Sequence, residues 1–341
     1  MADRTALVTG ATGFIGERLL GALLDEGWAV RACGRRNKPD RFPNAVEYRE
    51  ADLAGPDDLA PLLTDVTHVF HLAGASSSQS SEDEMHRGNV VATERLVGAA
   101  QRSKTLERMV YMSSTSVYGE EVKLPSPVEE TVEPHPSRAY GQAKWASEQA
   151  VWAAGRTGVP VIIMRPVSVY GPGNVKLLGS AVLDAAIEHF AGHQVLPVPA
   201  AAVEQRLVHI DDVIRATLHL AVDPQSPGQA FNVVFPSYPS SHHVAELIAG
   251  ELGMEIAVSD DPDCGLNYEV RSTAREQMLA AGMKPDILLT EERFRFMRKA
   301  NPNNRLSIAA LLSTGFQFKD PDLDTGIRAT VAWYRDHRWI L

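Results

Sequence analysis

Apolar and polar positions follow two rhythms along the first half of the chain. Short apolar runs occur at Ala6–Val8, Trp28–Cys33, Val66–Leu72, Met109–Met112 and Val161–Met164, with a weaker one at residues 44–48. Such runs, bounded by turn residues, predict buried strands. Between them the apolar positions take helical spacing, over Phe14–Leu24 and Ala139–Ala154 and at Val90, Val91, Leu96, Val97 and Ala100. A shorter helix is expected over Asp57–Leu63, and Gly27 suits the position just past the end of the first helix. Strands alternating with helices predict an α/β fold, a doubly wound parallel sheet covered on both faces.

The rhythm changes after Gly171-Pro172-Gly173. A helix is expected over Lys176–Phe190, then a Val/Pro/Ala-rich stretch over Val195–Val203 and a short strand over Arg206–Ile210. A helix over Asp211–Ala221 and a buried strand over Phe231–Val234 follow, with further helices at 242–253, 272–281 and 291–299. Residues 1–172 plus about 206–235 are expected to form a nucleotide-binding (Rossmann) domain. Residues 173–205 plus about 236–341 are expected to form a smaller C-terminal substrate-binding lobe, with a cleft between the two.

Composition narrows the function classes. The chain has 341 residues, 44% of them apolar, and a net charge of −10, which argues against a general nucleic-acid surface. The two cysteines, Cys33 and Cys264, are too few for a disulfide framework or a cysteine metal site. His242-His243 lacks partners at metal-ligand spacing, so no metal is expected. No stretch approaches ~20 apolar residues, so no membrane span is expected. The opening Met-Ala-Asp-Arg-Thr lacks the apolar core of a signal peptide. The expected location is cytoplasmic.

The first strand runs into Thr9-Gly-Ala-Thr-Gly-Phe-Ile-Gly16 and then a helix. This is the context of a dinucleotide cradle. Gly10 allows a tight turn, Gly13 admits a pyrophosphate and Gly16 allows close helix packing. Thr12, Phe14 and Ile15 complete the contact stretch, and the helix N-terminus faces the phosphates. The second strand ends Arg31-Ala-Cys-Gly-Arg35-Arg36, with no Asp or Glu at 31–38 to grip a ribose 2′-hydroxyl. Arg35 and Arg36 instead suit a 2′-phosphate, which favours NADP over NAD. Asp52-Leu53 either touches the adenine or starts the next turn as a cap. In His71-Leu72-Ala73-Gly74 the small residues admit the ribose, and His71 is expected to be a packed strand residue.

The sharpest chemical signal is Tyr140-Gly-Gln-Ala-Lys144. Four residues apart on a helix, the two side chains share a face. A nearby ammonium lowers a phenol's pKa from ~10 and readies it for proton transfer. One strand earlier, Ser113-Ser114-Thr115-Ser116 offers a hydroxyl to orient the reacting oxygen.

These motifs, in this order, resemble the extended short-chain dehydrogenase/reductase family, which includes the NAD-dependent epimerase/dehydratase proteins. The resemblance runs from Thr9 to about Tyr334. It also rests on Asn89-Val90, Val117-Tyr118-Gly119, Arg165-Pro166, Val169-Tyr170-Gly171-Pro172-Gly173, Val208-His-Ile-Asp-Asp-Val213 and Phe231-Asn232-Val233. It implies Ser114, Tyr140 and Lys144 as the catalytic set. It also implies cofactor contacts from Ser113, Pro166, Ser168 and Asn89, although Asn89 equally suits a helix cap. A homodimer through the helices at 90–100 and 139–154, which carry Trp145 and Trp152, is implied as well.

Departures from the family pattern bear on the substrate. Thr115 and Ser116 stand where the dehydratases carry an acidic pair, which argues against dehydration. Ser168 stands where sugar-nucleotide epimerases carry Asn. Arg206 matches a diphosphate-contacting arginine, but a later Arg-x-Gly-Asp element is absent, with Met297-Arg-Lys-Ala300 in its place. Ser76, Ser114, Thr115 and Arg206 are the candidate substrate contacts. The expected activity is an NADP(H)-dependent exchange between a ketone and a secondary alcohol on a small-molecule substrate. The alternatives are a nucleotide-sugar epimerase or keto-reductase, and a non-catalytic NADP sensor. Met278, Met283, Phe294, Phe296 and Met297 either line a lipophilic pocket or form core.

Overall fold

A computed structural model describes residues 4–75, 80–174, 176–260, 268–283, 305–319 and 322–340. The strands in chain order are β1 (Thr5–Thr9), β2 (Ala29–Gly34), β3 (Val46–Glu50), β4 (His68–His71), β5 (Arg108–Met112) and β6 (Val161–Pro166). Then come β7 (Ser168–Tyr170), β8 (Val195–Pro199), β9 (Leu207–His209), β10 (Gln229–Val233) and β11 (Glu255–Ser259). The helices are α1 (Phe14–Asp25), α2 (Glu82–His86), α3 (Ala92–Ala100), α4 (Ala139–Arg156), α5 (Leu178–Phe190), α6 (Ile210–Val222), α7 (Ser241–Glu251), α8 (Tyr268–Ala280), α9 (Ala309–Ser313) and α10 (Leu323–Asp336).

Seven strands form one sheet in the order β10-β6-β5-β4-β1-β2-β3, and every neighbouring pair is parallel. This is a doubly wound, Rossmann-like arrangement. β1, β5 and β6 contain continuous apolar stretches because both faces are covered. Leu7, Val69, Met109 and Ile163 pack under α3 and α4 with Leu96 and Val151. Their neighbours Ala6, Val8 and Ile162 point the other way and are also buried, on the face where α1 packs against α6. Each fully buried Leu or Ile contributes ~1.5–3 kcal/mol.

By its contacts the chain divides into two units. The first comprises Met1–Val167, Ile210–Val234 and Arg305–Gln317 and holds the large sheet. The second comprises Ser168–His209, Phe235–Asn304 and Phe318–Leu341. It carries the parallel pairs β7–β9 and β8–β11 and a core of Leu178, Val182, Leu196, Ile248 and Ile327.

Several local expectations shift. Residues 305–317, assigned from sequence to the smaller lobe, belong to the first unit. Leu306 bridges Val128, and the Asn232 amide donates to the Ser307 carbonyl at 3.1 Å. The helix expected over Asp57–Leu63 contracts to a single 3₁₀ turn, Ala60–Leu63, because Pro61 lacks the amide an α-helix needs. The helix expected from Val90 begins much earlier. Ser81 and Glu84 form a reciprocal capping box that opens α2. Among the described residues, no helix is long and apolar enough to cross a membrane.

Candidate active site

The site is built at the C-terminal ends of β1, β4, β5 and β6. Gly10 leaves β1 with φ +68°, and a Cβ there would lie 2.6 Å from the Ala73 amide nitrogen. The glycine turn is thus pressed onto the chain leaving β4. The Gly13 amide closes the turn on the Gly10 carbonyl at 3.0 Å, and a Cβ on Gly16 would overlap that same carbonyl. Gly16 therefore lets α1 pack onto the turn itself. Gly13 precedes α1 and offers no side-chain cap, so the first-turn amides are left for an anion.

Below the turn, His71 is fully buried and links three elements. The Thr93 hydroxyl donates to the Asn89 carbonyl at 2.6 Å, so it accepts from the His71 Nε2–H at 2.9 Å. Nδ1 is then bare and accepts from the Thr9 hydroxyl at 2.7 Å, whose oxygen takes the Ala73 N–H at 3.2 Å. Burial, and then the Lys144 charge, push the His71 pKa down to about 3. His71 is a neutral strut between β1, β4 and α3, not an acid or base.

Asn89 lies in a π-helical turn, Arg87–Val91, which continues α2 into α3. It is therefore not a helix cap. Its Nδ2 donates to the carbonyls of Ala75 and Met85 at 3.0 and 2.9 Å. Its Oδ1 is buried without a hydrogen bond, as is the Ser113 hydroxyl. A Cβ on Gly74 would collide with that Oδ1 and lie 3.4 Å from the Lys144 Nζ. A glycine cradle, an ammonium and an unsatisfied amide oxygen thus meet at the end of β4. Buried groups of this kind need a partner, and the hydroxyls of a nucleotide ribose fit them.

The catalytic candidates come together on β5 and α4. Ser114 lies two residues past β5 and caps the 3₁₀ turn Thr115–Tyr118 by accepting from the Ser116 amide at 3.2 Å. Helix α4 crosses this turn so closely that a Cβ on Gly141 would lie 2.5 Å from the Ser116 carbonyl oxygen. Gly141 therefore sets the approach of Tyr140, a role the sequence analysis did not assign. The signal was a glycine inside a helix, which costs ~1 kcal/mol relative to Ala and needs a packing reason. Burial pushes the Tyr140 phenol up to about 12, and a hydrogen bond with the Ser114 side chain pulls it back. Lys144 is buried, and burial brings its ammonium down to about 8. It donates to the Met112 carbonyl at 2.8 Å and lies 4.9 Å over the Tyr111 ring.

A family model for the NAD-dependent epimerase/dehydratase family matches residues 6–233, which span all of these elements. The chain belongs to the NAD-dependent epimerase/dehydratase family. It is a member of the extended short-chain dehydrogenases/reductases, whose NAD(P)-dependent enzymes include reductases, dehydrogenases and epimerases. It is 30% identical over 263 residues to dTDP-6-deoxy-L-talose 4-dehydrogenase (NAD(P)(+)) from Kitasatospora kifunensis, covering 75% of this chain and 81% of that one. It is 28% identical over 299 residues to GDP-6-deoxy-D-mannose reductase from Pseudomonas aeruginosa, covering 83% and 93%. The chain spans only about half the length of other curated relatives. One is 2-alkyl-3-oxoalkanoate reductase from Stenotrophomonas maltophilia, where 29% identity covers 50% of this chain and 53% of that one. Among solved structures, MoeE5 in complex with UDP-glucuronic acid and NAD superposes with a TM-score of 0.72 and 25% identity, covering 97% and 99% of the two chains.

Within this epimerase/dehydratase fold, several motif residues serve the scaffold. Arg165 pairs with Glu148 and donates to the Tyr118 hydroxyl at 2.9 Å, and Tyr118 donates to Asn232 Oδ1 at 2.8 Å. Three separated motifs thus converge on one buried network. Pro166 ends β6, its carbonyl 3.4 Å from the Thr115 hydroxyl. Asp52 accepts from the Ala54 amide at 3.1 Å and pairs with Arg87, while Leu53 is buried and its carbonyl takes Arg95. Leu72 leaves β4 with its amide on the Thr9 carbonyl at 3.3 Å.

Arg35 and Arg36 are exposed at the end of β2, and the Tyr48 hydroxyl fixes the Arg36 carbonyl at 2.8 Å. Nearby, Arg41 reaches the Thr12 carbonyl at 3.5 Å and pairs with Glu17. Ser168 and Arg206 lie in the second unit, where β7–β9 pairing sets Ser168 opposite Leu207, the residue after Arg206. Ser76, Cys264, the 291–299 helix, Phe294, Phe296 and Met297 lie outside the described residues. Met278 and Met283 are buried in the second unit's core. His242 and His243 are held by the Pro199 carbonyl and Asp324 at 2.7 and 2.8 Å.

Proposed function

We propose that this protein is an NADP(H)-dependent oxidoreductase that interconverts a ketone and a secondary alcohol on a small organic, sterol-like or sugar-like substrate. The observation that carries the reading is the convergence of Ser114, Tyr140 and Lys144, with the unsatisfied Asn89 Oδ1 and the Lys144 ammonium meeting at Gly74. The glycine turn and the α1 N-terminus would hold the pyrophosphate, Lys144 and Asn89 the nicotinamide ribose, and Arg35 and Arg36 a 2′-phosphate. The bound dinucleotide supplies or accepts the hydride. Tyr140 gives its proton to the carbonyl oxygen as an alcohol forms and takes it back in the reverse direction. Ser114 donates a hydrogen bond that fixes this oxygen. In this reading the second unit binds the substrate, the protein is cytoplasmic, and it dimerises through α3 and α4.

A second reading rests on the relatives whose names carry nucleotide sugars, and on Arg206. It makes the substrate a nucleoside-diphosphate sugar, reduced at a keto group or epimerised. One experiment divides the readings. Net NADPH consumption with plain ketones, absent with nucleotide sugars, supports the first. Consumption with a keto-sugar nucleotide, or its conversion without net cofactor turnover, supports the second. No turnover with either class removes both.

A further inference from the structure

The Lys144 ammonium is seated on an aromatic face. Its Nζ lies 4.9 Å over the Tyr111 ring, and one of its three N–H groups donates to the Met112 carbonyl at 2.8 Å. Tyr111 is wholly buried on β5, among the side chains that pack under α3 and α4. Its register partner on β4 is His71, and the two ring centroids are 5.4 Å apart. His71 is fixed in turn by the Thr9 and Thr93 hydroxyls. The Tyr111 ring is thus held in place from β1, β4 and α3, beneath a lysine that α4 supplies.

Burial works against the charge on Lys144 and brings its pKa down to about 8, so the groups facing it decide whether it stays an ammonium. Glu148, one turn on along α4, pulls the other way, but its carboxylate is shared with the buried Arg165 of β6 through two hydrogen bonds. His71 on β4 is neutral. Tyr140 on α4 and Tyr111 on β5 both have phenols pushed up by burial, and neither carries a negative charge at neutral pH. A further attraction comes from the Tyr111 π face, whose negative quadrupole lies under the Nζ. We propose that Tyr111 is a positioning residue that keeps Lys144 charged and seated through a cation–π contact. Tyr111 lies beneath Lys144 and acts only through it. The inference deepens the proposed function, in which the Lys144 ammonium holds the nicotinamide ribose.

The test reads Lys144 directly in the cofactor-free protein, by NMR titration of ¹³Cε-labelled lysine with Lys144→Met as the assignment control. Tyr111→Phe keeps the π face and should leave the proton affinity of Lys144 within about twofold. Tyr111→Leu removes the face and should lower that affinity about tenfold. Fluorinated phenylalanines placed at position 111 keep the ring's shape while draining its face, so the Lys144 pKa should fall with each added fluorine. This series decides the matter if Tyr111→Leu does not fold. An unchanged pKa in Tyr111→Leu, an equal fall in Tyr111→Phe, or no trend along the fluorine series would overturn the proposal. The binding consequence is read with NADP⁺ by calorimetry. The ammonium is lost as pH rises through its pKa, so affinity should weaken above about pH 8 in the unaltered protein. In Tyr111→Leu it should weaken from about pH 7, with the two proteins equal near about pH 6. If Lys144→Met binds NADP⁺ as tightly as the unaltered protein does, the ribose contact of the proposed function fails. The hold of the ring on the Lys144 charge is judged by the titration alone, so the two failures are told apart.

Discussion

Arg165 on β6 and Glu148 on α4 meet through two hydrogen bonds, Nε to Oε1 at 3.0 Å and Nη2 to Oε2 at 2.6 Å, with both side chains buried. The pair clamps the helix that carries Tyr140 and Lys144 to the sheet. Glu148→Ala leaves a buried guanidinium without its counter-charge, which costs ~3–5 kcal/mol. The urea unfolding midpoint should fall accordingly, with a smaller drop for Glu148→Gln. A midpoint unchanged in Glu148→Ala would mean that the clamp contributes nothing.

Gly141 predicts a steric effect with the opposite sign to helix propensity. Ala at an ordinary helix position gains up to ~1 kcal/mol over Gly. Here its methyl meets the Ser116 carbonyl, so α4 or the 3₁₀ turn must shift. A displacement of ~1 Å at a catalytic group costs on the order of 100-fold. Gly141→Ala should therefore lower kcat at least tenfold while leaving the fold intact by circular dichroism.

Tyr140→Phe removes the exchangeable proton but keeps the ring. Loss of a general acid–base group lowers turnover by ~10²–10⁴. NADPH affinity, followed by cofactor fluorescence, should change only slightly. Intact turnover of a verified substrate in this variant would remove Tyr140 as the acid–base group.

The choice of cofactor is tested at Arg35. A charge-assisted hydrogen bond to phosphate contributes ~1.5–3 kcal/mol. Arg35→Asp should raise the KM for NADPH by ~10-fold or more and leave that for NADH nearly unchanged. An unaltered NADPH-to-NADH ratio would remove Arg35 from the 2′-phosphate site.

His71 predicts a pH dependence of stability. Its folded pKa is depressed to about 3, against ~6.5 for an unfolded histidine. Below ~6.5 the unfolded chain binds a proton that the folded chain refuses, so stability falls as pH drops towards 3. The slope per such histidine approaches ~1.4 kcal/mol per pH unit. His68, lowered to about 4 first by burial, adds an effect of the same sign. Replacing His71 with Asn should flatten the fall in denaturant midpoint between pH 6.5 and 5; an unchanged slope would mean that His71 takes up a proton when folded.

Much of the first unit was legible because buried parallel strands carry a strong signal. Both faces are covered, so β1, β5 and β6 contain continuous apolar stretches, and the glycine turn marks the first crossover. Tyr140, Lys144 and Ser114 were legible through their spacing. Less legible were features fixed by contacts distant in sequence. Nothing local in Asn232 or Tyr118 says that both meet Arg165. The approach of α4 to Ser116 is set by packing, and only the glycine hints at it. The capping box at Ser81–Glu84 was present in sequence, but the weak apolar content of α2 hid the helix behind it.

The two units are interleaved in the chain, which passes between them after residues 167, 209, 234, 304 and 317. The large sheet is therefore not a piece that can be cut out at a linker. A protein ending at residue 234 would contain all seven strands yet lack Ser307 and Leu306, the partners of Asn232 and Val128 beside the edge strand β10. During synthesis, the first unit is incomplete until the chain has been made through residue 317.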